Sequence, residues 1–197
     1  MKHIIFDIGN VLIGYRWQDM LIEDHGMNPE DALRLGSGVF NNPNWLRLDA
    51  GNISLQEMAE YAIKDMPDLA EDVKWFFGNA RLMRVKRPSI WNEMKVLREK
   101  GYGIYLLSNY SEELLESHVG DTEIRDLVDG GVVSFQIHEI KPEPAIYQYL
   151  LQKYDLKPED CLFFDDRAEN VEAARKLGIS AIVVTGEEQL LEELKKL

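Results

Sequence analysis

The sequence predicts an α/β fold: a doubly wound parallel sheet with a helical cap inserted after its first strand. Three observations lead there. Four short apolar runs, 3–6 (HIIF), 102–107 (YGIYLL), 160–164 (DCLFF) and 180–184 (SAIVV), lack polar alternation, as strands covered on both faces do. From residue 88 onward these runs alternate with segments of helical period, the pattern of parallel strands joined by crossover helices. Between the first run and residue 88 the chain reads as helices only, so an insertion interrupts the alternation.

The elements follow in order. The first strand ends at Asp7. Residues 14–87 are expected to form the cap, with turns at Gly26, Gly36 and Gly51. Asn28-Pro29 pairs a capping side chain with a first-position proline. Residues 54–66 set Leu55, Met58, Ala59, Ala62 and Met66 on one stripe. Helices packed on the sheet without a lid role would give the same pattern. In 88–100, Pro88 opens a helix, Ile90, Met94 and Leu97 share a face, and Gly101 stops it. After the strand at 102–107, a weaker run at 131–136 (GVVSFQ) is a further strand candidate. Pro144 opens a helix over 144–154 with Ile146, Tyr149 and Leu150 on one side. Residues 168–177 line up Val171, Ala174 and Leu177, and Gly178 closes that helix. A charged helix over 187–196 ends the chain. The expected division is a core of 1–13 and 88–197 and a cap of 14–87.

Composition bounds the function. The 197 residues are 45% hydrophobic and 29% charged, which suits one compact unit with a modest insertion and excludes a disordered chain. There are 22 Lys and Arg against 35 Asp and Glu, a net charge of −13. Such an excess argues against nucleic acid or an anionic membrane as partner. An anionic ligand therefore needs a local positive feature, such as a metal ion. No stretch approaches the roughly 18 apolar residues of a membrane span, and the apolar start is too short for a signal peptide. Cys161 is the single cysteine, which fits a reducing compartment, and a cytoplasmic location is expected.

Ligands of open α/β sheets bind beyond the carboxyl ends of the strands. The residues at those ends are Asp7 after the first run, Ser108 and Asn109 after the second, and Asp165 and Asp166 after the third. Lys141, in the loop IHEIKPEP, adds a cation. Converging carboxylates repel and resist ionising. Mg²⁺ removes that penalty, since it takes a few carboxylates, a carbonyl, waters and phosphate oxygens. Ser108, Asn109 and Lys141 can meet the remaining phosphate oxygens, and a helix beginning near Ser111 adds backbone amides. Each residue alone would serve as a helix cap or turn. Together, in this order, they point to a site for a small phosphorylated substrate.

At these positions the chain resembles a known family. FDIGNVL, LLSN, IKPEPAIY and FFDDRAENVEAARKLG are similar to the four ordered motifs of the haloacid dehalogenase-like hydrolases, over about residues 1–13 and 88–186. The look is that of bacterial sugar phosphatases of the α-D-glucose-1-phosphate phosphatase type, and of the phosphatase domain of soluble epoxide hydrolases. The resemblance implies a Rossmann-like core with a helical cap after the first motif. It implies Asp7 as a nucleophile forming an aspartyl-phosphate, with Ser108 and Lys141 as catalytic and substrate-binding groups. It also implies Asp7, the Gly9 backbone carbonyl and Asp166, with Asp165 beside it, as Mg²⁺ ligands, and Asn109 and Asn170 as accessory polar positions.

One position departs from the family pattern. The first motif is usually Asp-x-Asp, and its second Asp protonates the leaving group and later activates water. Here that position is Gly9. General acid–base catalysis contributes about 10²–10⁴-fold, so three readings stay open. Water or a cap residue stands in for the acid; or the chain is a 2-haloacid dehalogenase, whose halide needs no proton; or it is an inactive phosphate-binding module. The Asp165-Asp166 pair needs a cation beside Asp7 and favours the metal-dependent phosphatase. Without an acid, leaving groups of low pKa should depart best, which suits anomeric sugar phosphates. His138, three residues before Lys141, is either a substitute proton donor, a substrate contact or an exposed loop histidine. Trp17, Trp45, Trp75, Phe76 and Phe77 either line a sugar pocket or form cap core, and Arg16 or Arg47 either reaches substrate or lies on a solvated face.

Overall fold

A computed structural model describes residues 2–197. In chain order come β1 (His3–Phe6), β2 (Ile13–Tyr15), α1 (Trp17–Asp19) with a wider helical turn at Met20–Asp24, α2 (Pro29–Phe40), α3 (Asn44–Asp49), α4 (Leu55–Asp65) and α5 (Ala70–Gly78). Then follow β3 (Arg84–Lys86), α6 (Pro88–Glu99), β4 (Gly103–Ser108), α7 (Glu112–Val119), β5 (Gly130–Val133), α8 (Pro144–Lys153), β6 (Cys161–Asp165), α9 (Ala168–Lys176), β7 (Ser180–Val183) and α10 (Glu187–Leu194).

Five strands form a parallel sheet in the order β5-β4-β1-β6-β7. Successive β1 side chains point to opposite faces, and each face finds its own helices. Ile4 and Phe6 share a buried cluster with Ile90 and Met94 of α6 and Leu190 of α10. Ile5 packs with Ile146 and Leu150 of α8 and Val171 and Ala174 of α9. The sheet is thus doubly wound, as expected. In α8 it is Tyr147, fully buried, that joins Ile146 and Leu150, while Tyr149 is exposed. The Tyr147 hydroxyl donates to the Asn170 carbonyl at 3.0 Å, which gives this buried polar group its partner. The weak run at 131–136 is strand only to Val133; the chain then turns over Ser134–Gln136.

The register sets the site. Phe6 lies opposite both Leu106 and Phe164. The three central strands therefore end at one level, which brings Asp7, Ser108 and Asp165 to one rim.

The expectation that 14–87 is helical throughout needs correcting. Residues 13–15 and 84–86 pair as a two-stranded antiparallel ribbon, Ile13 opposite Lys86. Each strand has three residues, too few for a period to show in sequence. The helices of the insertion lie between them. Asn28 caps α2, accepting from the Asp31 N–H at 3.0 Å. Ser54 and Glu57 form a reciprocal capping box on α4. Met58 and Ala62 of its stripe are fully buried. Gly36 is not a turn. It sits inside α2, where a Cβ would lie 2.1 Å from the Trp17 ring, so its bare backbone is what lets the indole pack there. The apolar face of the insertion merges with one face of the sheet, since Met58 and Phe76 share a cluster with Ile4 and Phe6. Among the described residues no helix is long and apolar enough to cross a membrane.

Candidate active site

Asp7 leaves the end of β1 and donates its backbone N–H to the Phe164 carbonyl at 2.9 Å. That bond continues the ladder one residue past the strand and fixes where the side chain starts. The Ser108 hydroxyl, at the end of β4, donates to Asp7 Oδ1 at 2.5 Å. Lys141 Nζ lies 2.9 Å from the same oxygen. Both contacts fall on Oδ1, so the carboxylate cannot rotate freely. Asp7 is almost buried. Burial raises its carboxyl to about 6, with Asp165 adding to the rise, against the lowering pull of Lys141.

Lys141 is itself buried. Its ammonium is 2.6 Å from Asp165 Oδ2 and donates to the Leu107 carbonyl at 2.9 Å. Burial would lower its pKa, but the Asp7 and Asp165 carboxylates outweigh burial and hold it above the usual lysine range. The lysine stays charged because two anions surround it. Asn109 explains why the loop carrying Lys141 is held still. Its amide nitrogen donates to the Lys141 carbonyl at 2.9 Å, and its amide oxygen accepts from the Lys141 N–H at 2.8 Å. Asn109 lines the cavity, but both ends of its side chain are engaged by the peptide groups of the lysine.

The two acids of β6 differ in placement. Asp165 is fully buried. Besides Lys141 it accepts from Asn170 Nδ2 at 2.9 Å and from the Arg167 N–H at 2.8 Å. Asp166 is more open, and its Oδ2 accepts from Asn10 Nδ2 at 2.9 Å. Burial, with Asp165 adding to it, raises the Asp166 carboxyl. Oxygens of Asp7, Asp165 and Asp166 all lie within 4.8 Å of one another. Three carboxylates against one ammonium leave the rim short of positive charge. The donor set is all oxygen, and a hard divalent cation such as Mg²⁺ fits it.

Asp7, Ser108, Lys141 and Asp166 floor a cavity of about 560 Å³, a usual size for a small-ligand site, with Asp165 buried behind them. Gly9, Asn10 and Asn170 line it beside Asp7. The insertion supplies the other wall, through Trp17, Phe40, Trp45 and Asp49. Trp17 and Trp45 of the aromatic set therefore reach the cavity. Trp75 instead stacks on His25 at 4.0 Å, and Phe76 and Phe77 are buried core. Arg16 pairs with Glu23 and Asp24, and Arg47 bonds Asn44 and lies over the Tyr61 ring; neither lines the cavity. His138 is exposed and also lies outside it, but its Nδ1 is 2.9 Å from the Ala50 carbonyl. It ties the end of α3 to the core, a role beyond that of a free loop histidine. Ser134 does the same next door, donating to the Asp49 carbonyl while accepting from the Tyr110 N–H. Gly51, with φ of 68°, comes so close to Phe135 that a Cβ would meet its backbone at 3.0 Å.

Tyr15, Asp49, Tyr110, His118 and Arg167 are among the cavity residues that escaped the sequence reading. Asp49 is the most unusual. Burial and the nearby Asp7 raise its carboxyl to about 7, against smaller lowering effects of Lys141 and Arg167. In sequence it is one acid in an ordinary amphipathic stretch. Tyr15 fills the space beside Gly9: a Cβ there would lie 3.0 Å from the phenol oxygen.

Comparison with known proteins agrees with the fold and the motifs. The family model of haloacid dehalogenase-like hydrolases matches residues 1–178. D-ribitol-5-phosphate phosphatase of Bacteroides thetaiotaomicron is 28% identical over 90% of this chain and 89% of its own length. Drimenol cyclase drtB of Aspergillus calidoustus is 24% identical over 98% of this chain. The chain spans only 36% of that protein, and 22% of rat bifunctional epoxide hydrolase 2. A HAD family enzyme of Bacteroides thetaiotaomicron, an aspartate-to-alanine mutant solved with magnesium and inorganic phosphate, overlays with a TM-score of 0.73 at 21% identity, over 94% of this chain and 95% of its own. The L-2-haloacid dehalogenase RSc1362 overlays with a TM-score of 0.78 at 14% identity, over 99% of both chains. At such identities the overlays speak for the fold alone. With the four motifs gathered at one rim and the family model matching most of its length, the chain belongs to the haloacid dehalogenase-like hydrolases.

Proposed function

We propose that this chain is a Mg²⁺-dependent phosphatase acting on a small phosphorylated metabolite, a sugar phosphate foremost, with residues 14–87 as its cap. The observation that carries the reading is the Asp7 carboxylate, pinned by Ser108 and Lys141 within reach of two further acids. A halide-displacing site has no use for the two extra acids.

The chemistry follows from the geometry. Asp7 attacks phosphorus, the ester P–O bond breaks, and the alcohol departs, leaving an aspartyl-phosphate that water then cleaves. The Ser108 hydroxyl and the Lys141 ammonium stand beside Asp7 and donate to the phosphoryl oxygens, where charge spreads in the transition state. Asp165 keeps Lys141 charged and aimed. Asp7, Asp166, Asp165 and the Gly9 carbonyl are the groups that would hold Mg²⁺, which when bound offsets the carboxylates and the phosphate dianion. Trp17 and Trp45 offer flat apolar faces over the floor, as a sugar ring requires. The D-ribitol-5-phosphate phosphatase relative supports the same substrate class. A reducing cytoplasm suits the buried free thiol of Cys161.

Gly9 favours a second reading, a 2-haloacid dehalogenase. The acidic trio opposes it, and metal dependence separates the two. A panel of phosphorylated metabolites with Mg²⁺ should show turnover that EDTA abolishes and Asp7→Asn removes. Halide release from 2-haloacids that persists in EDTA would establish the dehalogenase. No turnover of any ester, activated aryl phosphates included, would leave only a phosphate-binding module.

A further inference from the structure

Cleaving an aspartyl-phosphate with water forms one P–O bond, breaks another and frees a proton. Of the groups nearest Asp7, Ser108 already donates to it, Lys141 is cationic, Asp165 is taken up by Lys141 and Asn170, and Asp166 is held by Asn10. Across the cavity lies a chain of three side chains. The hydroxyl of Tyr15 contacts that of Tyr110, and the Tyr110 hydroxyl is 2.8 Å from His118 Nδ1. His118 Nε2 is 2.9 Å from the Ala80 carbonyl.

The direction of this chain can be deduced. A carbonyl only accepts, so Nε2 carries the imidazole hydrogen. Nδ1 of a neutral ring is then an acceptor, and the Tyr110 hydroxyl donates to it. The Tyr110 oxygen is left to accept from Tyr15. Tyr15 therefore directs its hydrogen to Tyr110 and keeps its remaining lone pair free to accept. Burial, with the Arg84 guanidinium nearby, pushes His118 down to about 4. The ring is neutral at neutral pH, and its basicity matches that of an ordinary carboxylate. Tyr15 also stands where a side chain on Gly9 would project.

Resting on the phosphatase reading, we propose that Tyr15 accepts the proton of the hydrolytic water and passes it through Tyr110 to His118. Water oxygen bonds to phosphorus, and the bond from phosphorus to the Asp7 oxygen breaks, returning Asp7 as carboxylate. The water proton goes to Tyr15 Oη, the Tyr15 proton to Tyr110 Oη, and the Tyr110 proton to His118 Nδ1. The imidazolium so formed returns its proton to solvent along the same route as phosphate leaves. Tyr15 is the catalytic residue; Tyr110 and His118 are relay residues that carry the proton away from it.

The test is rapid-quench hydrolysis of p-nitrophenyl phosphate with Mg²⁺ by wild type, Tyr15→Phe and Tyr110→Phe. Each variant loses one hydroxyl and no carbon, and thermal melts check that each folds. Loss of a general base costs about 10²–10⁴-fold, and here it falls on the second step alone. Both variants should therefore show a burst of nitrophenolate near one equivalent, then a steady state slower by that factor. Tyr110→Phe keeps the Tyr15 phenol in place, so a burst there reports the relay and not a packing role. Unchanged rates, or a fall without a burst, would overturn the proposal. So would a burst in Asp49→Asn but not in Tyr15→Phe. Failure of wild type to release any nitrophenolate would instead sink the phosphatase reading, and this inference with it.

Discussion

Replacing Lys141 by methionine isolates the charge balance of the rim. The ammonium makes three contacts within 3 Å, to Asp7 Oδ1 at 2.9 Å, Asp165 Oδ2 at 2.6 Å and the Leu107 carbonyl at 2.9 Å. Methionine keeps the apolar stem and removes all three. Two buried carboxylates then face each other with no cation between them. Removing one partner of a buried ion pair costs about 3–5 kcal/mol. Here the lower end applies, because Ser108 still donates to Asp7, and Asn170 and the Arg167 N–H still hold Asp165. For a chain of this length, about 3 kcal/mol corresponds to a fall in Tm of roughly 6–12 °C. The variant should recover part of this as the pH is lowered. The folded Asp7 carboxyl is raised above its unfolded value, so the folded state binds more protons and gains stability on acidification. Mg²⁺ should recover part of it at neutral pH by binding the folded state alone. Calorimetric melts in EDTA at pH 7 and pH 5, and in Mg²⁺ at pH 7, read all three effects. A Tm within about 2 °C of wild type in EDTA at pH 7 would refute the charge argument.

Three other changes probe the surroundings of the site. Ser134→Ala strips a buried bridge between the Tyr110 N–H and the Asp49 carbonyl, and should cost about 1–3 kcal/mol in denaturant melts for each of the two backbone groups left unsatisfied. Gly36→Ala forces a Cβ to within 2.1 Å of the Trp17 ring; overpacking of about 1–3 kcal/mol should exceed the roughly 1 kcal/mol that alanine gains in a helix, so Tm should fall and not rise. His118 sits at about 4 when folded, below its unfolded value. The unfolded state therefore binds more protons between those two values, and the stability His118 gives is present above pH 6.5 and lost as pH falls toward 4. The advantage of wild type over His118→Gln should accordingly shrink by about 3 kcal/mol between pH 7 and pH 4; an advantage that does not change with pH would contradict a buried neutral ring.

The parallel sheet was legible because its strands are covered on both faces and so read as unbroken apolar runs. The rim residues were legible for a related reason: Asp7, Ser108 and Asp165 each stand at a strand end, and the sheet brings strand ends together. The ribbon of 13–15 and 84–86 was not legible, since strands of three residues carry no period. Gly36 was misread because glycine signals a turn and a close approach alike, and only the position of Trp17 decides between them. The far wall of the cavity was hidden more deeply. Tyr15, Asp49, Tyr110 and His118 come from separate segments, and buried tyrosines and histidines look in sequence like any other core. The one local signal was negative: glycine at position 9, in a motif that usually carries an acid there, marks a space that another residue is free to fill.

The central claim is that Asp7 takes the phosphoryl group. Acid-quenched enzyme, caught during turnover and digested, can be read by peptide mass spectrometry. A phosphoryl group on the peptide holding Asp7, present with Mg²⁺ and absent both in EDTA and in Asp7→Asn, is the predicted result. Turnover with that peptide unmodified at every quench time, or with the phosphoryl group on another residue, would contradict it.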